Sequence, residues 1–435
     1  MKKIGLVIRD KKGAALIVTY MVVAILLAFG GFVVEVSNTQ NSAANNFKKQ
    51  AQALNIAEAG TDRALIWLRS QSSPPIGSIS SITQSVPSTG TALGSYTVTL
   101  TDLGSPGSDN SVRRYRIEST GSVGTAAQKI TNYVQTDNYA RYIWFTDSES
   151  YGGTNVWFWD YDYLNGPTHT NGHFNIKGSP VFEGEVRSAD DYIRYYNNGN
   201  NINSSELSNS PYDTPDFQDT VTLGAESVTM PSQALNLRTA STASGGLRLT
   251  GDTTIVLNSN GTMTVTNSAK GWRNYTTALP SNGALFVNKG ILKISGTLSG
   301  RLTVGASKDI YITGNILYAD NPRQEGSTST DILGIISEAD VVIDDAAPYN
   351  LEIDASVMAL NTSFLLENYW TGGAKGTLSV FGGIIQKQRG PVGTFSGTTK
   401  VSGYSKNYDY DSRLLSSPPP FLPTTGDYVT LSWEN

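Results

Sequence analysis

The chain has no cysteine, so neither a disulfide nor a thiolate-held metal is available to it. Stability must come from buried apolar surface and backbone ladders. Histidine is nearly absent: there are two, His169 and His173, in the string HTNGH. On a strand they would share a face, but functional zinc sites need three or four protein ligands and no third stands nearby. Charge is thin as well, at 16 % of residues and a net −5. With no basic patch outside the N-terminus, nucleic acid is not an expected partner. The sequence contains no GxxxxGK[ST] loop, no GxSxG elbow and no HExxH. The acidic doublets Asp190-Asp191 and Asp344-Asp345 place neighbouring side chains on opposite faces of a strand, so neither is a carboxylate pair by itself. The expectation is a non-enzymatic protein with no catalytic residue, cofactor or bound metal.

What is present begins at residues 13–34, GAALIVTYMVVAILLAFGGFVV, about 22 residues without a charge and long enough to cross a bilayer as a helix. The preceding leader, MKKIGLVIRDKKG, carries Lys2, Lys3, Arg9, Lys11 and Lys12 against Asp10. That bias places the N-terminus in the cytoplasm and the rest of the chain outside it. From Val36 to Arg69 there is no proline and a single late glycine, Gly60. Ala43, Phe47, Ala51, Leu54, Ala57, Leu65 and Leu68 recur at spacings that give a helix one apolar stripe. One continuous helix over 14–69 would be on the order of 80 Å long. Two simpler readings share these features. One is a plain membrane anchor; the other is a cleaved secretory peptide ending at the small-x-small triplet Ala28-Phe29-Gly30.

At 435 residues more than one domain is expected. Residues 70–90 are rich in Ser, Pro, Gly and Thr, and Pro74-Pro75 ends the helix. SYTVTL at 95–100, RYRIE at 114–118 and KITNYV at 129–134 read as an antiparallel meander. The stretch after Tyr142 is dense in aromatics (Trp144, Phe145, Trp157, Phe158, Trp159, Tyr161, Tyr163), better explained as core packing than as a sugar platform. Residues 189–243 are Asn-, Ser- and Asp-rich and read as a long polar insertion. Between 246 and 390, short apolar strands such as ALFV, ILKI, RLTV and DIYI alternate with glycine or asparagine corners. Recurrence every roughly 20–30 residues predicts a right-handed parallel β-helix, with an antiparallel sandwich as the competing fold.

A basic leader ending in glycine, an apolar helix and an amphipathic continuation resemble a type IV pilin or pseudopilin precursor. The string QALNIAEAG at 52–60, followed by Ala64, Trp67 and Leu68, is similar to a stretch of PilX-type minor pilins and K-type minor pseudopilins. GPTHTNG at 166–172 and GSPVFEG at 178–184 are similar to blocks of an extracytoplasmic domain found in PilX-like proteins. The resemblance implies cleavage by a prepilin peptidase between Gly13 and Ala14. It further implies a bacterial inner-membrane location and assembly with other pilin-like subunits. Leu16, Val18, Val22, Leu26, Phe29, Phe47 and Leu54 are then the expected assembly-helix residues. Most major pilins have glutamate at the fifth mature position; here that position is Val18, as in subunits placed at a fibre tip.

The expected organisation is a leader at 1–13, a membrane and assembly helix at 14–35, and a pilin-like α+β head at 36–138. A β-helix over 139–415 follows, interrupted by the insertion, and the tail at 416–435 caps its open end. The expected function is a tip subunit of a type IV pilus or type II-like secretion assembly. The alternative is an anchored or secreted β-helical protein that binds or degrades a surface carbohydrate.

Overall fold

A computed structural model of the protein describes residues 11–71, 73–77, 79–88, 91–105, 112–396 and 399–434. The leader residues Lys2, Lys3, Arg9 and Asp10 lie outside this set. Helix α1 runs unbroken over Lys11–Arg69, as the absence of proline allows, and Gly13 and Ala14 fall in its first turns. It is long and apolar enough to cross a membrane, and its apolar window is not covered by any other part of the chain. The hydroxyl of Thr19 donates back to the Ala15 carbonyl at 2.9 Å, so this side chain brings no unpaired donor into the apolar span.

The second half of α1 lies on a five-stranded antiparallel sheet. Its order is β1 (Ile79–Val86), β2 (Gly94–Gly104), β3 (Arg114–Val123), β4 (Ala126–Asn138) and then the C-terminal strand Thr424–Glu434. Ala53, Ile56, Ala64 and Leu68 bury against Tyr96, Val98, Ile117 and Val134. This seam differs from the stripe expected from the sequence. Ala43, Phe47 and Ala51 are exposed, Leu54 and Leu65 are half-buried, and only Ala57 and Leu68 of that set are fully enclosed. The reason is close approach. A side chain on Gly121 of β3 would collide with the Ala53 carbonyl and the Ala57 amide, so the sheet seats on the small-residue face of the helix.

Beyond β4 the described residues form a body of parallel strands with three long ladders, which rules out the antiparallel sandwich. The first ladder begins with Leu247–Thr250, Ala284–Asn288, Arg301–Ala306 and Ile332–Ser337. It continues through the ends of Leu351–Ala359 and Ala374–Gln388 to β5 (Trp144–Ser148). Thr168–Thr170, Val186–Ser188 and Val221–Leu223 complete it. The second ladder stacks Thr253–Asn258, Leu292–Leu298, Ile310–Tyr318, Val341–Ile343 and Phe364–Leu366. The third runs from Leu351–Ala359 through Ala374–Gln388 and Thr399–Tyr410 to Tyr163–Asn165, Val181–Phe182 and Asp216–Phe217.

The stacking order is not the chain order. The coil that begins at β5 sits on the coil closed by 374–410, through Trp144 opposite Ile384 and Leu164 opposite Tyr408. The chain therefore enters the body in its middle and winds outward to residue 223. It then crosses back through 224–246 and winds inward from the other end.

The expected polar insertion needs correcting. Its strands Asp216–Phe217 and Val221–Leu223 extend the third and first ladders, and Ile193–Tyr195 stacks in parallel on Asn175–Ile176 in a small separate sheet, burying Ile193 and Tyr195 completely. Residues 196–215 form an exposed excursion whose strand Ile202–Ser204 folds antiparallel onto Ile193–Tyr195, and 224–246 leaves the stack as a strap with a short helix, Leu235–Ala240.

The middle of the first ladder is buried on both faces. Leu285, Val287, Val304 and Ile335 point into the main core, whereas Phe145, Phe286, Ile336 and Met358 point outward into a second core with Leu237 of the strap and with Leu414 and Leu422. Burial on both sides explains why ALFV, ILGII and VMAL are continuous apolar runs.

The C-terminal tail is a second correction. It does not cap an open end. Residues 417–422 lie along the outer face of the first ladder, where Arg301 donates to Ser417 Oγ at 2.8 Å and to the Pro418 carbonyl at 2.7 Å. Thr424–Glu434 then pairs with β4 in the head. One end of the stack is instead covered by the strand Thr262–Asn267, which folds antiparallel onto Thr253–Asn258 and buries Met263 and Val265. Its alternating TMTVTN pattern has a single inward apolar face to offer, as a terminal layer needs.

Candidate functional site

Two features stand out as candidate sites. The first is the free half of α1. Leu16, Val18, Val22, Leu26 and Phe29 are all solvent-facing, as is Phe47 further along at 70 % exposure, whereas Leu54 is half-buried against the head. The expected assembly residues therefore fall into an uncovered group and one member that belongs to the helix–sheet seam. Apolar side chains bared around a whole helix require lipid or another protein surface to cover them.

The second feature is a buried charge cluster at the seam where the coil starting at β5 meets the coil ending near residue 410. The Arg389 guanidinium lies 3.6 Å from the ring centre of Phe158 and 5.1 Å from that of Trp144. It donates to Glu149 Oε2 at 2.9 Å and to the Trp157 carbonyl at 3.1 Å. Glu149 is also held by Trp144 Nε1 at 3.0 Å. Nearby, Lys406 Nζ meets Asp162 Oδ2 at 2.5 Å, and Asp162 accepts from the Trp159 amide at 3.1 Å. Burial pushes the Lys406 ammonium down, against the pull of Asp162. Two cations and two carboxylates thus share one desolvated cluster, where each needs its partners.

None of these four residues is a candidate in the sequence analysis. A signal existed: in Thr399–Tyr410, Tyr404, Lys406 and Tyr408 alternate on one face, and a lysine between two inward tyrosines marks a buried cation. The aromatic-rich segment divides. Trp144 and Phe158 join the core, Trp159 packs on Phe395 at 4.4 Å between ring centres, and Tyr161 is exposed.

The two histidines do not converge on a shared ligand set. His169 is buried, stacked on Phe145 at 5.2 Å, and meets Asn171 through Nε2; burial pushes it down to about 4. His173 pairs through Nδ1 with Asp190 at 2.8 Å and stacks on Tyr192. Among the described residues no group of three or more metal-ligating side chains occurs. Asp344 lies 3.7 Å from Lys293 as an ordinary ion pair.

A family model described as a domain of unknown function (DUF4900) matches residues 110–190, covering β3, β4, β5 and the first coils. No curated protein matches the chain. Among solved structures, the competence-associated pilin ComZ from Thermus thermophilus is similar over 89 % of this chain and 97 % of that one, at 13 % identity and a TM-score of 0.32. A TM-score of that size does not establish a shared fold.

Proposed function

We propose that this protein is a minor pilin- or pseudopilin-like subunit of a bacterial envelope, without enzymatic activity of its own. The observation that carries the reading is α1: one unbroken helix, bared and apolar over its first half and seated on an antiparallel sheet over its second. Such an element anchors in the inner membrane with its N-terminus cytoplasmic, and its apolar half packs against equivalent helices when subunits assemble. The stacked body, in this reading a right-handed β-helix, is carried outward by the head. Val18, standing where an acid would otherwise meet a neighbour's N-terminal amine, favours a place at the fibre tip.

The test is the mature N-terminus, read as intact mass from cells with and without prepilin peptidase. A start at Ala14 that requires the peptidase is the expected result. A start at Gly31 would make the protein a secreted one, and an intact Met1 would leave a plain membrane anchor; either outcome removes the pilin reading.

A further inference from the structure

The charge cluster forms the floor of a cleft of about 310 Å³, within the size range of small-ligand sites. The cleft is lined by Tyr151, Trp157 and Trp159 from the coil after β5 and by Tyr369 and Phe395 from the coil before the seam, with Trp159 meeting Phe395 at 4.4 Å and Tyr151 meeting Tyr369 at 6.1 Å between ring centres across the join. No aspartate or glutamate lines it, whereas Lys177, Arg389 and Lys406 do. Glu149 and Asp162 neutralise Arg389 and Lys406 from behind. Lys177 has no carboxylate within ion-pairing distance among the described residues and rests over the Tyr196 ring at 4.5 Å, so the cleft keeps one uncompensated positive charge.

Unused hydrogen-bonding capacity also converges there. The Lys406 ammonium has three donors and a single acceptor, Asp162. Tyr408 lines the cleft with a hydroxyl that reaches its accessible surface and has no protein partner among the described residues, and the side-chain amide of half-buried Asn155 has none either. These groups face the cleft with donors and acceptors that water or a ligand can complete.

We propose that this cleft binds an acidic sugar chain of the uronic-acid type. A pyranose presents an apolar C–H face to one of the lining aromatic rings and a hydroxyl rim to Asn155 and Tyr408, and the carboxylate meets Lys177 and the free donors of Lys406. The combination of aromatic rings lining the cleft, a net positive charge and hydroxyl-sized partners fits a carboxylated sugar better than a peptide, which would need a run of unpaired backbone groups. The site lies on the stacked body and does not depend on how α1 is processed.

The experiment is titration of the full chain in detergent micelles, following tryptophan fluorescence and heat. The probes are a short oligogalacturonate, the neutral oligosaccharide of the same length, and an acidic peptide. The oligogalacturonate is expected to bind in preference to both. Trp157→Ala and Tyr369→Ala should each weaken it by about tenfold. Lys177→Gln, a half-buried rim residue, should retain the wild-type melting temperature and lose the preference for acid over neutral sugar. Three outcomes would each overturn the proposal: no saccharide binding at millimolar concentration, equal affinity for the neutral chain, or binding of the acidic peptide alone. Undiminished binding by a folded Trp157→Ala protein would do so too.

Discussion

Asp354 shows how one buried side chain sets a pH dependence for the whole body. Its carboxylate accepts from the Tyr318 amide and from Arg323, both at 3.1 Å. Burial outweighs these contacts and raises the group from its ordinary value to about 6. An acid whose folded pKa lies above its unfolded one makes the native state the tighter proton binder. The contribution of this group to stability is therefore greatest below about pH 4 and falls as pH rises through 6, by up to about 3 kcal/mol for a shift of this size. Asp354→Asn keeps the shape and removes the charge. Relative to the wild type it should gain stability steadily between pH 4 and 7 in urea titrations. A difference that does not vary with pH would show that Arg323 compensates the charge fully. Residue-scale features of this kind were hard to read from sequence. Asp354 sits in LEIDASVMAL between apolar neighbours, and nothing in that string says which of its faces is covered.

At the scale of elements the periodicities were more informative, within a definite limit. The proline-free run implied α1, and the glycine-separated apolar strings implied parallel strands; both are present. The buried face of α1 was only partly placed: Ala57 and Leu68 of the expected stripe are enclosed, but the seam also takes in Ala53, Ile56, Gly60 and Ala64, whose small members let two backbones come close, while Ala43, Phe47 and Ala51 are left exposed. The continuous apolar strands of the first ladder had no explanation until a second, outer core appeared behind them. Gly121→Ala tests the seam directly. The added methyl meets helix backbone that cannot move aside cheaply, at a cost of about 1–3 kcal/mol. Hydrogen exchange should quicken in β3 and in helix residues 53–68, while the strands of the body keep their protection. Unchanged exchange in β3 would mean that helix and sheet are less tightly seated than the backbone contacts imply.

For the whole molecule, the decisive fact is that the coils stack out of chain order. Sequence patterning specifies which residues of a coil point inward, but every coil presents a similar apolar ridge, so it does not say which coil lies on which. Here β5 finds its neighbour some 240 residues later, at Ile384, and β4 finds its own in the C-terminal strand. Trp144 and Phe145 accordingly lack a ladder partner on one side until residues 384–385 have been made, which places this fold among those dominated by distant contacts. The same arrangement makes the strap 224–246 the sole covalent link between two runs of coils that are joined non-covalently at two places, the β5 seam and the head sheet. A protease site inserted after Glu226, an exposed position, should therefore cut the chain without separating it. The fragments should co-elute in detergent and part once denaturant melts the ladders. Neither Trp144 stacked in the common core nor the C-terminal strand on β4 depends on the severed peptide bond. Separation of the fragments under native conditions would show that the strap, rather than the ladders, holds the two runs together.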